Sequence, residues 1–188
     1  MNIGSIPAKT RISVARYQKM VAAGVLTGDD RIELIEGEMI DMAPIGSKHA
    51  AITARLTKLF ILAAGDDAIL SPGGPVNLGD FSEPQPDLLL LRQRADYYSG
   101  KIPEAADVLL IIEVSDTTLR YDQTVKWALY ARYGISEYWV VDVEARLIQV
   151  HRDPKESGYT QSLVFAQADT LSPLHIPDVR VSVRSLFE

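Results

Sequence analysis

The spacing of apolar residues divides the chain into helical and extended stretches. Ser13 can cap a first helix over Val14 to Ala23, closed by Gly24. RIELIE and EMIDMA then alternate apolar and polar positions around Glu36-Gly37, which predicts a β-hairpin. His49, Ile52, Leu56, Leu59, Phe60 and Ala63 recur at helical spacing, so a long amphipathic helix is expected from about Ser47 to Ala64, stopped by Gly65. The stretch from Asp67 to Glu83 is turn-rich, with short strands. PDLLLLR and DVLLIIEVS are continuous apolar runs, the pattern of central strands covered on both faces, and the polar RQRADYYSGKIPEAA between them reads as a loop. A helix over about Tyr121 to Tyr133, ended by Gly134, leads into EYWVVD and RLIQVHR, expected to pair as a hairpin. YTQSLVFA and VRVSVRSLF read as further strands. No repeat, low-complexity segment or boundary interrupts the pattern, so a single mixed α/β domain over residues 1–188 is expected.

Composition narrows the classes. With 47% hydrophobic and 23% charged residues the chain is ordinary globular material. No apolar run is long enough for a membrane span, and MNIGSIPAKTR lacks the apolar core of a secretory signal. Cysteine is absent, which excludes disulfides, thiolate metal sites and cysteine nucleophiles and points to the cytoplasm. The net charge of −6 bears on partners. Proteins that grip nucleic acid through phosphates usually carry a basic surplus, so either the grip here is local and metal-assisted or nucleic acid is not the partner.

Several motifs can be set aside. GSIPAKT lacks the glycine that precedes lysine in a phosphate-binding loop, and no strand precedes it. His49, His151 and His175 have no zinc-ligand spacing. What remains is a carboxylate pair and a lysine. Asp87 follows Pro86 at the mouth of one apolar strand, and Glu113 interrupts another. A carboxylate inside an apolar strand is costly unless it is paired or binds a cation. On neighbouring strands the two would stand roughly 5 Å apart, close enough to share a hard divalent ion. Lys126 falls among Leu129, Tyr130 and Tyr133 on the helical wheel, placed to direct its ammonium toward that pair. A plainer reading stands beside each: a Pro-Asp turn for Asp87, and an i, i+4 surface ion pair with Asp122 for Lys126.

At these residues the sequence resembles the Uma2 family, restriction-endonuclease-like proteins of the PD-(D/E)XK nuclease superfamily. The resemblance is carried by RIELIEGEMIDMAPIGSKHA, PQPDLLLL and VLLIIEVSDTTLRYDQTVKWALYARYGISEYWVVD. It implies a restriction-endonuclease-like core, a mixed sheet flanked by helices with additional antiparallel strands. It implies that Asp87, Glu113 and Lys126 are catalytic, with Asp87 and Glu113 binding Mg²⁺ or Mn²⁺. The sequence departs from the superfamily pattern at Ser115, where the lysine would stand, and the family pattern moves that role to Lys126. Glu36, in the hairpin turn, and His49, on the apolar face of its helix, are secondary candidates. Tyr130, Tyr138 and Trp139 are read as packing around the site.

The function expected on this basis is metal-dependent hydrolysis of DNA, by a homodimer where both strands are cut. RNA or a small phosphodiester would suit the same triad. The alternative is a non-catalytic interaction module that keeps the fold, suggested by Ser115 and the acidic charge.

Overall fold

A computed structural model describes residues 9–188, so most of the N-terminal segment, including most of GSIPAKT, lies outside it. Helix α1 (Val14–Ala22) starts at Ser13, whose side chain accepts from the Arg16 amide, and packs on the hairpin β1 (Ile32–Ile35) and β2 (Glu38–Asp41). Glu36 and Gly37 both have positive φ (51° and 84°), the left-handed pair that a tight two-residue hairpin turn requires. Helix α2 (Ser47–Ala64) follows.

The main sheet has six strands: β3 (Ile69–Pro72), β4 (Leu88–Leu91), β5 (Val108–Ser115), β6 (Glu137–Asp142), β7 (Leu147–Lys155) and β8 (Gly158–Phe165), neighbours in that order. Only β5 and β6 run parallel; every other neighbouring pair is antiparallel. A mixed sheet flanked by helices, with additional antiparallel strands, is therefore what the chain builds.

Strands β4, β5 and β6 are buried throughout, as their unbroken apolar runs require. Side chains alternate between faces along each strand. Leu88, Leu90, Ile112 and Val114 face α2, while Leu89, Leu91 and Ile111 face the second helical layer. That layer is a short turn α3 (Leu119–Tyr121), a π-helical segment (Asp122–Lys126) and α4 (Trp127–Arg132).

Two expectations are corrected. The helix expected from Tyr121 to Tyr133 starts at Leu119 and is widened by the π-helical turn, a feature that residue spacing does not encode. VRVSVRSLF is not a strand. Val181–Ser182 (β10) pairs with Thr170–Leu171 (β9), and Val183–Phe187 forms helix α5. Val183 and Leu186, three residues apart, bury one face of that turn, so helical spacing overrides the apparent alternation.

Candidate active site

The register of β4 against β5 sets the first two residues. Leu88 pairs with Ile112, and one step outward brings Asp87 opposite Glu113 on the sheet face toward α4. Asp87 Oδ2 accepts from the Val114 amide at 2.7 Å, which fixes the aspartate at the strand mouth. Its other oxygen lies 2.9 Å from His49 Nε2, in the first turn of α2. His49 thus reaches the site by holding Asp87. The contact with Asp87 raises the His49 pKa against the opposing effect of burial.

Lys126 enters from the π-helical turn, a local widening that is frequent at functional sites. Its ammonium is buried, 3.0 Å from Glu113 Oε1 and 3.2 Å from Glu33 Oε2. The i, i+4 pairing with Asp122 does not form. Asp122 instead accepts from Ser115 Oγ at 2.8 Å and Thr118 Oγ1 at 2.6 Å. Ser115 therefore anchors the π-helical turn, and the lysine beside Glu113 comes from the helix.

Tyr130 donates to Glu113 Oε1 at 2.8 Å and packs edge-on against Tyr138, so it is both packing and partner. Tyr138 packs and donates to the Asp122 carbonyl at 3.1 Å. Trp139 lies on the opposite sheet face against Phe60. Above the pair opens a cavity of about 300 Å³. Glu33, Asp41, Asp87, Glu113, Asp116 and Asp122 line it, against the cations Arg31 and Lys126 and the imidazole of His49. Tyr121 also lines it, and its buried hydroxyl has no hydrogen-bond partner among the described residues.

This crowding has an electrostatic consequence. Burial, opposed by Lys126 and reinforced by neighbouring carboxylates, raises the Glu113 pKa well above the carboxylate range. Burial also raises that of Asp122. The Lys126 pKa is raised as well, but for another reason: its carboxylate neighbours outweigh burial and hold it protonated. The cavity sets more carboxylates than cations against one another, and its oxygen donors suit a hard divalent cation. Among the described residues no three His, Asp or Glu side chains stand together as a ready-made cage. Mg²⁺ does not need one, because it keeps several waters and uses one or two carboxylates plus substrate phosphate. Asp87 and Glu113 fit that role.

Glu36 is not brought to the cavity. Its carboxylate is half-exposed and pairs with Arg132 of α4. The acidic residues that the hairpin contributes are Asp41, at the end of β2, and Glu33, three positions before Glu36, which also accepts from the Gln85 amide at 3.1 Å. Sequence reasoning missed Glu33 although the signal was present. Like Glu113, it is a carboxylate between apolar residues, and it is 3% exposed because β1 is covered on both faces. Asp142, which had no assigned role, accepts from the Ala145 amide and shapes the β6–β7 turn.

A crystal structure described as "a putative nuclease belonging to DUF820", from Anabaena variabilis ATCC 29413, superposes with a TM-score of 0.73. The match covers 94% of this chain and 97% of the other at 19% identity, which is a likeness of fold. Among curated proteins none matches. The family Uma2, described as "Putative restriction endonuclease", matches residues 14–184. The chain belongs to the Uma2 family, and that membership supports a nuclease-like function.

Proposed function

We propose that the chain is a metal-dependent phosphodiesterase that hydrolyses DNA, with Asp87, Glu113 and Lys126 as catalytic residues. The observation that carries this reading is the buried ammonium of Lys126, held between Glu113 and Glu33 at the floor of a carboxylate-lined cavity. Asp87 and Glu113 would hold Mg²⁺ or Mn²⁺. Such an ion supplies polarisation of the phosphoryl group and a water acidic enough to attack near neutral pH.

The chain's own residues do the rest. Lys126 places a fixed positive charge where a phosphoryl oxygen gains negative charge in the transition state. Glu33 and Tyr130 restrict Lys126 and Glu113 to one arrangement. His49 and the Val114 amide hold Asp87. The Tyr121 hydroxyl is a donor waiting for an acceptor, and a non-bridging phosphate oxygen is one.

The experiment is cleavage of plasmid DNA with Mg²⁺, with Mn²⁺ and with chelator, for wild type and Glu113→Gln. Metal-dependent nicking by wild type alone is expected. Identical behaviour of the two proteins under all conditions would remove the reading. The binding-module alternative drew on Ser115; with Lys126 beside Glu113 it loses that motive. Calorimetric titration of the folded protein with Mn²⁺ separates the two, since a module without a metal site releases no binding heat.

A further inference from the structure

The cavity does not end at the carboxylates. It continues as a groove of about 930 Å³ along α2, sharing Arg31, Met42, Ile45, His49, Gln85 and Asp87 with the cavity. The far end is formed by Thr57, Lys58, Ile61 and Leu62. Its character differs from the centre. Among the described residues Asp87 is its only lining carboxylate, while Arg31 and Lys58 bring two cations. Neither cation lies within ion-pairing distance of a carboxylate among the described residues. Aliphatic side chains also line it, with Ile45, Ile61 and Leu62 exposed at 55%, 61% and 73%. Two buried polar atoms of lining residues, His49 Nδ1 and Thr53 Oγ1, have no partner among the described residues.

We infer that this groove is the track for an unpaired nucleotide segment flanking the scissile phosphodiester, with bases on Ile45, Ile61 and Leu62 and phosphates on Arg31 and Lys58. The inference rests on the phosphodiesterase reading for its direction and names the form of the substrate. Continuity with the cavity requires a ligand that extends away from the reacting phosphate. Paired cations match a polyanion, and they answer how a chain of net charge −6 can hold one. The aliphatic floor decides between strands. A duplex turns phosphates and groove edges outward, whereas an unpaired strand offers flat base faces that gain by leaving water. A second copy paired groove to groove would use the apolar patch but, with Asp87 the one lining carboxylate among the described residues, would bring little anion to Arg31 and Lys58.

The test uses fluorescence anisotropy of a labelled oligothymidylate of about fifteen nucleotides, and of a duplex of equal length, in chelator so that nothing is cleaved. The variants are Leu62→Glu, Ile61→Glu and Lys58→Ala, all distant from Glu113 and on exposed positions, so folding is retained. Wild type should bind the single strand more tightly than the duplex. Each glutamate variant should weaken single-strand binding by about tenfold. Lys58→Ala should flatten the salt dependence by about one phosphate contact. Mn²⁺-dependent hydrolysis of bis(p-nitrophenyl) phosphate, too small to reach the groove, should be unchanged in all three.

Unaltered oligonucleotide binding in the variants overturns the inference, as does tighter binding of the duplex. A dimer that falls apart in Leu62→Glu while oligonucleotide binding persists assigns the patch to a second copy and overturns it equally. If wild type hydrolyses no diester yet the variants lose the single strand, the phosphodiesterase reading fails and the groove stands.

Discussion

Two buried glutamates on adjacent strands, Glu113 on β5 and Glu137 on β6, are served very differently. Glu137 is fully buried, and both its oxygens are in use. Oε1 accepts from Arg152 Nε at 2.9 Å, Arg152 Nη2 at 2.6 Å and Trp139 Nε1 at 3.0 Å. Oε2 accepts from the Leu174 amide at 2.6 Å. Glu113 is almost as buried, but only Oε1 meets protein donors among the described residues, and it shares Lys126 with Glu33. Three further carboxylates, Asp87, Glu33 and Asp122, raise its pKa further. Burial alone therefore does not mark a functional carboxylate. What separates the two is unused oxygen and like-charged company, which an ordinary structural ion pair would not retain.

The largest effect that can break this contrast is on activity. Glu113→Gln keeps a side-chain oxygen for Lys126 and Tyr130 but removes the charge. DNA cleavage should fall by about 10³-fold or more, the scale of losing several kcal/mol of metal-assisted stabilisation. Stability by chemical denaturation should be kept or raised, because the lost charge was one that burial disfavours. Arg152→Met should do the reverse. It leaves Glu137 buried without its cation, at a cost of about 3–5 kcal/mol, while activity per folded molecule is unchanged. If Glu113→Gln unfolds the protein as Arg152→Met does, the two carboxylates are alike and the contrast is lost.

The same contrast explains how far the sequence could be read. Apolar runs made β4, β5 and β6 legible because both faces are covered, and Glu113 stood out as the polar interruption. Asp87 was legible as the residue after Pro86 at a strand mouth. Glu33 also stands between apolar residues, but RIELIE alternates like a half-exposed strand, so that signal did not reveal that α1 and the main sheet cover both sides. The choice of Glu36 followed a conspicuous turn residue instead. Glu137 was passed over because its partner Arg152 and the Leu174 amide arrive from sequence-distant segments. The π-helical turn aligns Asp122 with Ser115, a contact that exists only once β5 is in place.

Glu83 lies between the two extremes. It is 2% exposed, Gln18 donates to one oxygen, and the other has no partner among the described residues. Burial pushes its pKa up to about 7, partly offset by Gln18. The folded value lies above the ordinary one of 4.5, so the neutral form is the stabilised one. That contribution is complete below pH 4.5 and is lost as pH rises through about 7. With solvent screening allowed for, the loss amounts to about 2 kcal/mol. Glu83→Gln should remove this slope, so that wild type and variant converge at pH 4 and separate at pH 8, with the variant more stable. Parallel stability curves across that range would show that Glu83 is served as well as Glu137.

The smallest effect separates two tyrosines that the sequence cannot tell apart. Tyr130 donates to Glu113 at 2.8 Å, and its loss leaves a buried carboxylate short of a donor. Tyr130→Phe should therefore cost about 1.5 kcal/mol. Tyr121 has a buried hydroxyl with no partner among the described residues, so its desolvation is already uncompensated. Tyr121→Phe removes that group and should leave stability unchanged or raise it by up to about 1 kcal/mol. If the hydroxyl meets a phosphate oxygen when substrate binds, the same change should lower kcat/KM for DNA cleavage by about tenfold. Tyr130→Phe thus loses stability, and activity only through the freed Glu113 carboxylate; a substrate-facing tyrosine keeps stability and loses kcat/KM. Denaturation and kinetics on this single variant thus decide which side of the Glu113–Glu137 contrast Tyr121 belongs to.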